Sequence, residues 1–439
     1  MTQGKGKPPA SNVPHGRITR LGQFGRLAGG VAGGMMAEAA RRLADGQRPR
    51  LRDMMLTPAN VGRVADRLSH LRGAAMKLGQ MISMDAGDFL PAELTDIMAR
   101  LRDNAHHMPP AQLQRVLARE WGADWRLRFA HFDARPIAAA SIGQVHRATT
   151  HDGRLLAIKV QYPGISDSID ADVDNVATLL RLSNLLPREL DIAPLLAEAK
   201  AQLRDEADYR REGEQMTRFA TLVADVPGLR VPALDPALTT DRVLAMDYID
   251  SVPIESLVTA PQARRDAAMA TLFQLVLREM FEFGWMQTDP NFANYRYQPA
   301  TGHIVLLDFG AVRPVSADTA QGYRRLIAAG LSGDRDGLRD AAIAVGFLGA
   351  AAASRHRAAI DRMIDLILAE LHRGGPFDFG DRQFVAPLRD QGLAMAADRS
   401  TWHVPPADLL FTQRKISGMA LLAARLQARV NLIAMLDKL

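Results

Sequence analysis

Apolar residues at three- and four-residue intervals (Val61, Val64, Leu68, Leu71) predict helices across 57–120. The period then changes. Between 125 and 162 the short β-leaning runs LRFAHF, VHRAT and LLAIKVQY are separated by turn signals such as His151-Asp152-Gly153, which predicts a small antiparallel sheet. Helical spacing returns over 165–224, broken by Pro187. A strand pair is predicted around LRVPAL and RVLAMDYI. From Pro261 the pattern is mostly helical, interrupted only by HIVLLDFG. Residues 1–20 carry no apolar periodicity and read as disordered.

A small β-rich part ahead of a larger helical part predicts an α+β, two-lobed, protein-kinase-like fold with an N-terminal helical extension. The expected divisions are a basic Gly/Ala-rich extension over 1–50 and a helical segment over 51–120. A smaller lobe with inserted helices follows over 121–250, then a helical lobe over 251–439.

Charge changes the picture at one end only. The net charge of the 439 residues is +5, but residues 1–52 hold ten basic and two acidic residues, so the rest is slightly acidic. No basic stripe with interleaved aromatics appears, and nucleic acid is not an expected partner. Gly29, Gly30, Gly33 and Gly34 give two G-x-x-x-G spacings, which fit either a close-packing or bilayer-lying helix or a flexible linker. Basic residues near an anionic membrane contribute about 1 kcal/mol each, enough for peripheral adhesion. The apolar run from Leu27 to Ala37 is eleven residues, short of the roughly 20 that a spanning helix needs, and does not resemble a signal peptide. Near the C-terminus the longest uncharged stretch, Ile416 to Ala424, is nine residues and predicts a helix packed on the larger lobe. With no cysteine, disulfides and thiolate metal sites are excluded.

The chemistry concentrates in two motifs. Asp289 and Asn294 have the D-x-x-x-x-N spacing of a phosphoryl-transfer loop, and Asp308-Phe309-Gly310 follows a short apolar strand. Such chemistry needs a carboxylate near the nucleophile, with a second carboxylate and an amide holding Mg²⁺ against the phosphates. Upstream, Lys159 ends an apolar strand, where a lysine engages ATP phosphates. The loop before it, Ala138-Ala139-Ala140-Ser141, is alanine-rich where glycine is usual, which restricts its backbone. Glu206, Asp208 and Glu212 are placed together on a predicted helix, with an extra helix inserted before it. No A-P-E follows Asp308, and helical sequence returns within about ten residues, which leaves little platform for a peptide substrate.

Lys77-Leu78-Gly79-Gln80, AAASIGQVH, AIKVQYPG, EADYRRE, QTDPNFAN and DFG occur in the order that resembles the UbiB family of atypical kinase-like proteins of ubiquinone (coenzyme Q) biosynthesis. The QTDPN form is similar to the mitochondrial-type branch, and the resemblance runs from about Gly22 to the C-terminus. It implies ATP and Mg²⁺ as cofactors, with catalytic roles for Asp289, Lys159 and Lys77. Nucleotide contacts would come from Ala138, Ala139, Ala140, Ser141, Lys159, Glu212, Met246 and Tyr248, and metal contacts from Asn294 and Asp308. Lys77 and Gln80 would regulate the site across Glu206 and Asp208. Ser251 stands where the family often has glycine. The expected activity is ATP hydrolysis coupled to ubiquinone-precursor lipids or biosynthetic enzymes, with a small-molecule kinase and a nucleotide-binding pseudokinase scaffold as alternatives. Other partners to consider are an anionic membrane surface, contacted peripherally, and a second copy of the chain. The expected location is cytoplasmic, at the periphery of the inner membrane.

Overall fold

Pro110 opens the first described helix, α1 (Pro110–Trp121), where its missing N–H is one the helix leaves unpaired anyway. The structure is a computed structural model, and it describes residues 108–182, 193–381, 383, 385–396, 398 and 406–437. The predicted N-terminal extension, the helices before residue 108, Lys77, Gln80 and Pro187 lie outside the described residues. Those described divide into two units. One takes them up to Thr217 together with Pro232–Ile249; the other takes Arg218–Val231 and those from Asp250 onward.

The first unit is built on the predicted antiparallel sheet. Its strands are β1 (Phe129–Phe132), β2 (Ala138–Ala139), β3 (Gly143–Thr150) and β4 (Leu155–Gln161). Leu156, Ile158 and Val160 alternate along β4 and are fully buried, as a period of two requires. The β3–β4 turn uses Gly153 at φ +86°, a conformation that a side chain would oppose. Trp121, Trp125, Phe129 and Phe132 form an aromatic cluster with ring centroids 4.9–6.3 Å apart. The indole N–H of Trp121 donates to Leu238 O at 2.9 Å.

Three helices follow: α2 (Ile169–Leu182), α3 (Ala193–Glu206) and α4 (Tyr209–Leu222). Two departures from expectation appear here. Two helices precede the helix carrying Glu212, in the place expected for inserted helices, but Glu206, Asp208 and Glu212 do not share an element. Asp208 Oδ1 accepts from the N–H of Arg211 at 3.0 Å, which caps α4 and breaks the helix after Glu206. The expected strand pair also splits. Leu234 bridges Met246, but β5 (Leu229–Arg230) belongs to the second unit's sheet, while β6 (Val243–Asp247) pairs with β4.

In the second unit β7 (Val252–Pro253) leads to α5 (Gln262–Arg278), which passes through a π-helical turn at Glu279–Phe283. Four short strands come next: β8 (Trp285–Gln287), β9 (Tyr295–Tyr297), β10 (Ile304–Leu306) and β11 (Val312–Pro314). They form a sheet in the order β5–β10–β9–β7 and a separate β8–β11 pair. The remainder holds α6 (Ala317–Ser332), α7 (Arg335–Val345), α8 (Ala350–Arg355), α9 (Arg357–Leu371), β12 (Phe377–Asp378), α10 (Val385–Ala396), α11 (Ala407–Leu426), β13 (Arg429–Val430) and α12 (Leu432–Leu436). HIVLLDFG is therefore not the sole interruption of the helical pattern. Strands of two or three residues are too short for alternation to register. The C-terminal run folds as α11, with Met419, Leu422 and Ala423 fully buried and Leu426 O accepting from Arg265 Nη1 at 2.8 Å. No helix among the described residues is long and apolar enough to cross a membrane.

Candidate nucleotide and metal site

Lys159 projects from β4 opposite the Leu156–Ile158–Val160 face, and both it and Glu212 are buried. Its Nζ donates to Glu212 Oε1 and Oε2, each at 2.9 Å, and sits 5.1 Å from the centre of the Tyr209 ring. The Coulombic gain of such a pair offsets its desolvation only with geometry this close. The alanine-rich loop is a hairpin. Ala138 faces Val145, Ala139 faces Gln144, and the N–H of Ala140 donates to Gly143 O at 2.9 Å. Ser141 Oγ donates to Glu206 Oε2 at 2.6 Å, tying this hairpin to the end of α3. At the edge of the sheet, the N–H of Tyr248 donates to Leu155 O at 2.8 Å and that of Asp247 to Ala233 O at 2.9 Å. Met246 bridges Leu234 within the same edge.

In the second unit two loops are braced against one another. Gln287 of β8 pairs with Val312 of β11, and Tyr295 of β9 with Leu306 of β10. The Asp289 loop leaves between β8 and β9; the Asp308 loop leaves between β10 and β11. Asn294 Nδ2 donates to Asp289 O at 3.3 Å, and the N–H of Leu307 donates to Asn294 O at 2.8 Å. Asp289 Oδ1 accepts from the N–H of Asn291 at 3.2 Å, so the loop is folded around its own carboxylate. Asp308 adopts φ +63°, left-handed backbone that is uncommon for a residue with a side chain. Phe309, almost fully buried, packs on Phe219 with ring centroids 5.3 Å apart. Ser251 accepts at Oγ from Arg296 Nε at 2.9 Å, so the hydroxyl in place of the family's glycine is engaged.

Beneath these loops lies a buried charged cluster that the sequence reading missed. Lys415 of α11 is 1% exposed and Glu279 of the π turn is 0% exposed as side chains. Lys415 Nζ lies 3.3 Å from Glu279 Oε2, 2.9 Å from Tyr295 Oη and 3.1 Å from Gln287 Oε1. Burial pushes the Glu279 carboxyl above the usual carboxylate range, against the pull of the Lys415 ammonium. Burial also works against the charge on Lys415, but Glu279 and Tyr295 outweigh it and hold the ammonium above its ordinary value. The Tyr295 phenol is likewise pushed up, first by burial. A lysine inside an apolar helical stripe carries no signal in one sequence.

A lysine–glutamate pair beside a hairpin loop, with D-x-x-x-x-N and D-F-G motifs on a braced second unit, defines a kinase-type phosphotransferase fold. Residues 100–342 match the model of the ABC1 atypical kinase-like domain. Across 426 residues the chain is 37% identical to the mitochondrial atypical kinase COQ8 of Saccharomyces cerevisiae, covering 96% of this chain and 84% of that one. It is also 37% identical to the mitochondrial atypical kinase COQ8B of Rattus norvegicus, covering 95% and 79%. Among solved structures, Rv3197 of Mycobacterium tuberculosis, solved with erythromycin, aligns with a TM-score of 0.61 at 26% identity, over 86% of this chain and 95% of that one. The chain belongs to the ABC1 family of atypical kinases, the UbiB family of the motif resemblance, and its α+β kinase-like fold is the expected one.

Proposed function

We propose that this protein binds ATP with Mg²⁺ and hydrolyses it slowly in support of ubiquinone biosynthesis, by handling precursor lipids or the enzymes that modify them. The buried Lys159–Glu212 pair carries this reading, because a doubly bonded lysine on the sheet is what holding phosphates requires. On the same reading Asn294 and Asp308 hold Mg²⁺. An amide oxygen and a carboxylate are hard donors that suit this ion, which completes its shell with water and phosphate oxygens. Bound there, Mg²⁺ would neutralise charge on the phosphates. Asp289 would orient the attacking water. The Ala138–Ser141 hairpin would lie along the phosphates, Met246 and Tyr248 would flank the adenine, and Lys77 and Gln80 would regulate the site with Glu206 and Asp208. The mitochondrial COQ8 kinases it resembles support the pathway, and the ten basic residues within 1–52 support a peripheral place on an anionic inner membrane, at its cytoplasmic side.

Helix α6 begins at Ala317, soon after Asp308, which leaves little platform for a peptide and favours hydrolysis or a small acceptor over protein phosphorylation. The test is ATP turnover by purified protein with and without anionic liposomes and a phenolic quinone-precursor mimic. Wild type should hydrolyse ATP faster with liposomes, and Asp308→Asn should lose at least tenfold. A phosphorylated phenol would establish the small-molecule kinase instead. Nucleotide binding without turnover would establish the scaffold, and fast peptide phosphorylation would overturn the proposal.

A further inference from the structure

The buried cluster has no direct place in the chemistry above, yet Lys415 bonds Gln287 of β8 and Tyr295 of β9, the strands on either side of the Asp289 loop, and Gln287 in turn bonds Asp308 O. Lys415 and Gly418 are three residues apart and share a face of α11. A Cβ on Gly418 would meet Pro290 Cβ at 2.2 Å, so the helix backbone rests directly on the Asp289 loop. Lys415 acts on the neighbouring residue. Its Nζ carries only donors, so the amide oxygen of Gln287 must face it, and this turns Gln287 Nε2 toward Asp308 O, to which it donates at 3.2 Å. Tyr295 reinforces the choice. Its oxygen accepts from Lys415, which leaves its own hydrogen for Gln287 Oε1 at 3.3 Å. Glu279 Oε1 accepts the backbone N–H of Gln287 at 3.2 Å and completes the cage.

We propose that Lys415 is a positioning residue for the metal carboxylate: by fixing the orientation of the Gln287 amide from α11, it holds the Asp308 backbone in its left-handed conformation. This rests on the reading that Asp308 holds Mg²⁺. With the lysine removed, Tyr295 can donate or accept, the amide is free to turn, and its oxygen would then oppose Asp308 O. The Asp308 carboxylate would lose its fixed aim while nothing in the first unit changes.

The decisive variant is Lys415→Met combined with Glu279→Gln, which removes the lysine without stranding a buried charge. The full-length protein is titrated calorimetrically with ATP in EDTA, then with ATP at increasing Mg²⁺. The double variant should bind Mg²⁺-free ATP within twofold of wild type and need at least tenfold more Mg²⁺ for half-maximal enhancement of binding. A Mg²⁺ requirement within twofold of wild type would overturn the positioning role and leave the site reading standing. Loss of Mg²⁺-free ATP binding as well would reduce Lys415 to a general structural residue and overturn the role too. If wild type shows no Mg²⁺ dependence, or Asp308→Asn matches wild type, the site reading falls and this inference falls with it.

Discussion

Lys415→Met alone should destabilise the protein by an amount that depends on pH, and the dependence can be worked from the cluster. The substitution keeps the apolar stem but strands Glu279, whose side chain has no exposure. A carboxylate in that position escapes by taking up a proton. Its ordinary pKa is 4.5, so holding a proton at pH 7 costs about 2.5 pH units, or about 3.4 kcal/mol, and at pH 5 only about 0.7 kcal/mol. The lost hydrogen bonds to Gln287 and Tyr295 add about 1–3 kcal/mol at either pH. The sign follows from a carboxyl raised further above its unfolded value. Its contribution is fully present below pH 4.5 and is lost as pH rises through the raised folded value. Wild type already holds part of this shift, so the deficit of the variant should shrink by at most about 2.7 kcal/mol between pH 7 and pH 5. Urea unfolding followed by far-UV circular dichroism at both pH values measures it, and the remaining carboxyls cancel in the difference. Adding Glu279→Gln should abolish the pH dependence and recover most of the pH 7 loss. An equal deficit at pH 5 and pH 7, or a double variant no better than the single, would refute the reasoning.

At Gly143 a Cβ would meet Val160 O at 2.5 Å and Tyr209 Oη at 2.9 Å; the first contact is backbone of the paired strand and cannot yield. Gly143→Ala should therefore cost about 1–3 kcal/mol and lower the melting temperature, and a wild-type melting curve would contradict this. At Asp308, with φ +63°, Asp308→Gly should be more stable than Asp308→Ala by about 1 kcal/mol, although both lack the carboxylate. Equal unfolding midpoints for the two would show that the loop relaxes once the side chain is gone.

What the sequence disclosed and what it withheld divide along physical lines. The placement of Lys159 on a strand and of Asp308 just past one was legible because each follows an apolar run that reads as a strand, while their roles at a phosphoryl-transfer site are the proposal made above. The β3–β4 hairpin was legible because eight- and seven-residue strands are long enough for alternation to show. The break at Asp208 was not, since one capping aspartate in a charge-rich run looks like one more solvated residue. Lys415 was the least legible of all. It meets Gln287 from 128 residues away, and helical periodicity assigns the core to its neighbours Ile416 and Met419 while counting a lysine as surface.

The costs in the second unit converge on one short stretch. Asp308 holds a backbone conformation that glycine would adopt without strain. Lys415 and Glu279 are buried charges that well-packed apolar residues could replace with no loss, and often a gain, in stability. Each costs free energy where it stands, and Lys415 and Asp308 are joined through a single amide, Gln287, which bonds Lys415 with its oxygen and Asp308 with its nitrogen. A fold shaped by stability alone would have no use for any of the three. Their common endpoint is Asp308, and a fixed backbone there is what the proposed Mg²⁺ site would need.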